Sequence, residues 1–286
     1  MAKGRELKGR IKSVENTRKI TRTMEMVATS KMKRAQDRVI AARPYARALA
    51  EVISSLYSPD LADEFPLLRQ PKHAKRAAVI LLTSNRGLAG AFNANLIKEA
   101  RALLGRLEKE GTEAELHVVG KKGIGYFRYI GRATKVSRTD ITDRPTANDA
   151  ASLVEGLMDD FSKGALDAVY VVGAQFKSAL SSPPASEQVL PVPRPPKSAA
   201  QKDYLLFPSA GAILSELLPQ YVRNAVYRAL VETVAAEQSA RRTAMKNATD
   251  NAGEMLNVLR RTYNRARQAN ITQEIAEIVG GAAALE

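Results

Sequence analysis

Apolar and small residues recur through the first 57 positions at Ile11, Val14, Thr21, Ala28, Met32, Ala35, Val39, Ala42, Ala46, Leu49, Ile53 and Leu56. Where neighbouring members of this set are adjacent, the steps alternate between three and four, the spacing of a helix that turns one stripe toward another helix. Arg18 and Glu25 fall on the same stripe and interrupt it, so the strict repeat fails in the first half. Pro44 is expected to bend or restart the helix, because it removes a backbone donor. A helix of this length would be a rod of roughly 80 Å at ~1.5 Å per residue. Residues 210–284 behave alike, with an early Pro219, a single interior Gly253 and apolar positions at Leu214, Leu217, Leu218, Tyr221, Val222, Ala225, Leu230, Val234, Met255, Leu259, Tyr263, Ile271, Ile275 and Ile278. Gly280 and Gly281 are expected to loosen its end. A helix so long and only modestly apolar needs a partner, and the N-terminal helix is the available one. The pattern therefore predicts a long antiparallel coiled coil of N- and C-terminal helices.

Between these segments the period changes. Residues 77–83 are a short, almost continuous apolar run, as in a strand buried on both faces. An amphipathic helix follows over 92–109, then a strand at 115–119 and a third strand at 134–136. A helix over 148–161 is capped by Asn148 or Thr146, and another buried strand spans 167–172. Alternating strands and helices predict a small Rossmann-like, mostly parallel α/β domain. Residues 181–199 carry six prolines and read as an irregular arm. The predicted organisation is an N-terminal coiled-coil helix over 1–57, an α/β domain over 74–200 that includes the arm, and a C-terminal coiled-coil helix over 210–286.

Composition narrows the chemistry. The 286 residues contain no Cys and no Trp, and aromatic content is 5%. Disulfides, thiolate metal sites and cysteine nucleophiles are excluded, and two isolated histidines, His73 and His117, argue against histidine metal sites and most histidine catalysis. No apolar run reaches the ~20 residues that cross a bilayer, and the N-terminus reads as mature. The net charge of +14 is unevenly placed. Residues 1–38 hold 12 Lys or Arg against 4 Asp or Glu, whereas residues 213–286 hold 9 against 8. The basic stripe, Lys31, Lys33, Arg34 and Arg38 included, calls for an acidic partner.

Two glycine-bearing segments follow strands, the position of many phosphate-binding turns. Residues 84–90 (SNRGLAG) lack both the Lys-Ser/Thr of a P-loop and the three-glycine dinucleotide fingerprint, and residues 120–125 (GKKGIG) lack a following Ser or Thr in register. Tight turns explain both. Asp159 and Asp160 read as solvated charges at a helix end. With no activated nucleophile in view, no catalytic, cofactor or metal residues are assigned. Nucleic-acid binding is disfavoured by the absence of interleaved aromatics along the basic stripe.

Both termini carry a resemblance. Residues 10–21 (RIKSVENTRKIT), continuing through 24–32 (MEMVATSKM), are similar to the N-terminal signature of the γ subunits of F-type ATP synthases. Residues 244–252 (AMKNATDNA) and 263–275 (YNRARQANITQEI), continuing through 277–282, match the C-terminal signature. The turn at 84–93 fits the family's middle motif, except that Ala89 stands where the family commonly has Cys. The resemblance implies a non-catalytic rotor, the central stalk that couples ion-driven rotation of a c-ring to conformational change in the catalytic β subunits. It further implies α, β and ε subunits and the c-ring as partners, no nucleic acid, no membrane span of its own, and a peripheral place on the cytoplasmic face of a bacterial plasma membrane. By the same resemblance, Met24 and Arg241 lie near the β lever, and Arg267, Gln268, Thr272 and Glu274 lie higher on the shaft, against the α and β subunits. Tyr204, Leu205 and Phe207 fall where the foot approaches the c-ring or ε. The alternative from another class is a basic coiled-coil scaffold or nucleic-acid-binding protein.

Overall fold

The structure, a computed structural model, describes residues 2–57, 64–71, 73–193, 207 and 209–283. The elements in chain order are helix α1 (Ala2–Leu56), a short 3-10 turn (Pro66–Leu68), strand β1 (Arg76–Leu82), α2 (Phe92–Lys109), β2 (Glu113–Val119), α3 (Lys121–Tyr129), β3 (Val136–Arg138), α4 (Ala147–Ser162), β4 (Ala168–Ala174), β5 (Pro184–Leu190) and α5 (Ala210–Ala283). The chain divides into two compact units. The paired-helix unit comprises Met1–Ala28 and Arg241–Glu286, and the sheet unit comprises Thr29–Ala240.

The sheet unit is built on five strands in the order β3-β2-β1-β4-β5. All pairings are parallel except β4 with β5. Strand β1 lies at the centre and explains its own apolar composition. Ala77, Val79 and Leu81 point to one layer, with Leu96, Leu103, Leu104 and Phe127, while Ala78, Ile80 and Leu82 point to the other, with Val154, Phe161, Leu218 and Val222. Both faces being covered, positions 77–82 are all apolar, and the one polar residue, Arg76, stands at the exposed start of the strand. The second layer also receives Leu49, Ile53 and Leu56 from α1. Helix α5 sits directly on the sheet: the Gly173 backbone comes so near that a Cβ there would lie 2.7 Å from the Thr233 hydroxyl. That hydroxyl accepts a hydrogen bond from the Ala174 amide at 3.1 Å. A third cluster joins Ala35 and Val39 of α1 to Val231 and Ala235 of α5 through Phe176.

Local chemistry sets the element ends. Helix α4 starts in a capping box, in which the Asp149 amide donates to the Thr146 hydroxyl at 3.2 Å and the Thr146 amide donates to the Asp149 carboxylate at 2.7 Å. Thr146, rather than Asn148, is therefore the cap. Arg69 fastens the end of this helix, donating to the Phe161 and Leu166 carbonyls while its guanidinium stacks 5.0 Å from the Phe161 ring centroid.

Several expectations need correction. Residues 184–190 of the proline-rich segment are not irregular: they form the edge strand β5, with Pro184 at its first position, where no ladder donor is missed. The third strand lies two residues later than expected, at Val136–Arg138. Pro44 neither ends nor restarts α1, which is continuous from Ala2 to Leu56. The seam side chains on either side of it, Val39 and Leu49, are buried and hold the helix through the lost hydrogen bond. Helix α5 runs through Gly280 and Gly281 to Ala283.

Candidate functional site

In the paired-helix unit the two helices run antiparallel, as their contacts in order make plain: Thr21 meets Thr249, Arg18 lies over Gly253, and Glu15 meets Arg260. The threonine hydroxyls are 2.8 Å apart, and the Thr249 hydroxyl also lies 2.8 Å from the Met245 carbonyl oxygen, so it can donate to that carbonyl while accepting from Thr21. After Arg241, the buried positions of α5 in this unit are Met245, Thr249, Ala252 and Leu256, at steps of four, three and four. They continue through half-buried Leu259, Tyr263, Ala266 and Asn270. Leu259 and Tyr263 were in the expected apolar pattern, whereas the seam at Thr249 and Ala252 escaped it because those residues are small or hydroxylated. Met255, an expected apolar position, is instead 54% exposed. Arg18 breaks the stripe without being buried: its guanidinium spreads across the face left open by Gly253, 3.6 Å from where a Cβ would stand.

The expected contact residues form two separate sets on this unit. Met24 is half-buried and Arg241 is buried at 8% exposure. Arg267, Gln268, Thr272 and Glu274 are exposed within two turns of α5, and the Thr272 hydroxyl donates to the Gln268 carbonyl at 3.0 Å. The span from 241 to 267 is roughly 40 Å of helix at ~1.5 Å per residue. Tyr204 and Leu205 lie outside the described residues, while Phe207 is 91% exposed. Ile271, Ile275 and Ile278, expected as seam positions, instead face outward, as do Ile20, Met26, Val27, Val258 and Val279, which the apolar pattern did not single out; all are 45% exposed or more.

The sheet unit holds the two glycine-bearing turns, and they are interlocked. The Thr83 hydroxyl donates to the Val119 carbonyl at 2.8 Å and accepts from the Gly123 amide at 3.0 Å. Asn85 accepts from the Lys121 amide at 3.1 Å and donates to the Thr139 and Ile141 carbonyls. Ser84 and Asn93 bond one another across the turn. Gly120 has φ 97, and a Cβ on it would lie 2.1 Å from the Thr83 carbonyl oxygen. Residues 120–125 are thus a close-packed strand end and the opening of α3, and amides that could cradle a phosphate are engaged by side chains of the neighbouring turn. Leu88 stands at φ 63 with its side chain 62% exposed, a conformation that disfavours a branched side chain.

Part of the basic stripe is internally compensated. Lys31 lies 2.5 Å from an Asp143 carboxylate oxygen, and Lys33 pairs with Asp37 one turn on at 3.1 Å. Nearby, burial pushes the Glu232 carboxyl above its ordinary range, although its acceptance of the Phe176 amide works the other way. Among the described residues no cluster of His, Cys, Asp and Glu could hold a metal ion, and no helix is long and apolar enough to cross a membrane.

Comparison with known proteins gives one consistent result. The sequence profile of the ATP synthase family matches residues 3–285. The chain is 68% identical to the ATP synthase gamma chain of Gemmatimonas aurantiaca, and 44% identical to that of Acidithiobacillus ferrooxidans, over the whole of both chains in each case. Among solved structures it is similar to a chain of the Tetrahymena thermophila mitochondrial ATP synthase central stalk and c-ring, with TM-score 0.62 and 25% identity, covering 80% of this chain and 99% of that one. A chain of the Euglena gracilis mitochondrial assembly of OSCP, F1 and c-ring shares the fold at TM-score 0.71 and 19% identity, covering 99% and 95%.

Proposed function

We infer that this chain, which belongs to the family of ATP synthase gamma chains, works as the rotating central-stalk subunit of an ATP synthase, a non-catalytic part of that ATPase complex. The observation that carries the mechanism is the outward apolar surface of the paired helices. Ile20, Met26, Val27, Met255, Val258, Ile271, Ile275, Ile278 and Val279 are each at least 45% exposed on a unit whose own seam is narrow. A helix pair that had only to fold would keep such residues out of water; their display suits a surface covered by other subunits. A coupling element acts only through contacts that differ between the states of its partner. Apolar residues on several faces, with basic residues concentrated on α1, give each face a different contact to offer.

On this reading the surrounding subunits are α and β, with ε and the c-ring at the foot, and the complex sits on the cytoplasmic face of a bacterial plasma membrane. Met24 and Arg241 would bear on the β lever, and Arg267, Gln268, Thr272 and Glu274 on the α and β surfaces further along α5. Tyr204, Leu205 and Phe207 would meet the c-ring or ε; the 91% exposure of Phe207 is in keeping with that role. Reconstitution tests the proposal: α and β subunits mixed with this chain should yield a stable complex with azide-sensitive ATPase activity, and no complex would sink the reading. Arg267→Ala and Gln268→Ala should weaken coupling between ion flow and ATP synthesis while leaving the isolated chain's helicity unchanged. Unaltered synthesis in both variants would remove those residues from the contact.

A further inference from the structure

Three segments of the sheet unit converge on a cavity of about 250 Å³: Lys31, Arg34 and Arg38 from α1, Asp143 and Arg144 from the connection between β3 and α4, and Gln238 from α5. Four cationic side chains thus face one carboxylate. Asp143 is committed to Lys31 at 2.5 Å, and its backbone carbonyl accepts from Arg38 at 3.4 Å. The Lys31 hydrogen bond holds the Asp143 carboxyl below the usual carboxylate range against the cost of burial, with Arg86 adding to the positive field. Among the described residues no carboxylate lies within ion-pair distance of Arg34 or Arg144. The cavity therefore carries an excess of three positive charges (Lys31, Arg34, Arg38 and Arg144 against Asp143), together with a side-chain amide, Gln238, that is only 3% exposed.

We propose that this cavity is a binding site for a polyphosphate group, either inorganic pyrophosphate or the phosphate tail of a nucleotide. The planar guanidinium fork matches phosphate oxygens in a bidentate manner, and Arg34, Arg38 and Arg144 approach from separate segments. Size makes the choice of ligand. The cavity falls below the ~300–1,000 Å³ that accommodates drug-sized molecules, so a compact ligand with dense charge fits it, whereas a folded acidic loop does not. Gln238, buried on α5, supplies a donor and an acceptor. The site uses neither of the glycine-bearing turns, and it is independent of the rotor reading because it is tested on the isolated full-length chain.

The test is calorimetric titration of the full chain at low ionic strength with pyrophosphate, ADP, adenosine and a short oligo-glutamate peptide. One saturable site for pyrophosphate is expected, with adenosine silent. Equal binding of ADP identifies the nucleotide tail as the source, and silence of ADP identifies the free anion. Arg34→Gln and Arg144→Gln should each weaken pyrophosphate binding by about tenfold, the loss of one charge-assisted hydrogen bond. Both side chains are exposed, so the helical circular dichroism should not change. Arg43→Gln, in a different basic cavity beside Arg47 and Lys177, should leave binding unaltered. The proposal fails if neither pyrophosphate nor ADP saturates a site. It fails equally if Arg43→Gln and Arg144→Gln weaken binding to the same degree, which is diffuse charge attraction, or if the peptide saturates a site that pyrophosphate does not.

Discussion

The two units solve the same packing problem with opposite materials. Each of the largest fully buried side chains, among them Phe127, Phe161, Ile80, Leu81 and Leu104, belongs to the sheet unit. Among the described residues, those buried in the paired-helix unit are Thr21, Ala28, Arg241, Met245, Thr249, Ala252 and Leu256, which include no aromatic residue and several polar ones. Burial of a large apolar side chain stabilises by about 1.5–3 kcal/mol, so the sheet unit carries its own stability in bulk. The helix pair draws little from its seam and leaves its larger apolar residues outside. One unit keeps its apolar surface for itself; the other holds it out to be covered.

Substitutions can break that contrast in order of expected effect. Phe161→Ala removes a side chain that is 0% exposed and leaves Arg69 without its stacking surface. It should lower the sheet unit's stability by about 4 kcal/mol, read as a fall in the urea midpoint by circular dichroism. Gly120→Ala combines a left-handed φ with a clash against the Thr83 carbonyl and should cost about 3 kcal/mol in the same measurement. In the paired helices, Thr249→Val removes the hydroxyl between Thr21 and the Met245 carbonyl at an expected cost of only about 1 kcal/mol. A loss as large as that of Phe161→Ala would contradict the contrast drawn here.

The smallest effect is a pH dependence. The Lys31 hydrogen bond depresses the Asp143 carboxyl, while burial opposes the shift. A depressed carboxyl stabilises the fold above its unfolded value, and that stabilisation disappears as the pH falls through the folded one. The native chain should therefore exceed Asp143→Asn in urea midpoint at neutral pH, by less than about 1 kcal/mol because the pair is over a third exposed. The gap should close on acidification below about 3.8. A gap that widens in acid would assign the wrong sign to the pair.

Legibility in the sequence followed the same divide. The strand at β1 was readable because burial on both faces leaves no polar residue beyond its first position, Arg76, and α2 because its buried residues recur at helical spacing from Phe92 to Leu107. The first half of α5 was readable for a similar reason, as Leu214, Leu218 and Val222 repeat every four residues against the sheet. Helix α3 was missed because Gly123 and Gly125 suggest a loop. Position 123 of that helix is glycine because the Val118 and Thr83 side chains occupy the space a side chain would need. Strand β5 was hidden by prolines that flank its pairing rather than interrupt it. At the candidate site, the C-terminal motifs pointed to α5, but a seam of Thr249 and Ala252 has no hydrophobic signal, and the exposed Ile275 and Ile278 read as seam when they face outward. Residues destined for a partner look like core until the partner is considered.

The hydroxyl pair of Thr21 and Thr249 has a mechanical consequence. Two helices joined along small side chains could slide by a heptad, or unwind slightly under torsion, with little loss of apolar contact. A polar pair at one level of such a joint favours a single alignment, since a slip loses the bond between the hydroxyls and leaves each with only its own helix's carbonyl, Arg18 or Met245, as partner. Their 2.8 Å contact acts as a key between two shafts, so that a twist applied to one strand of the pair is delivered to the other rather than dissipated as shear.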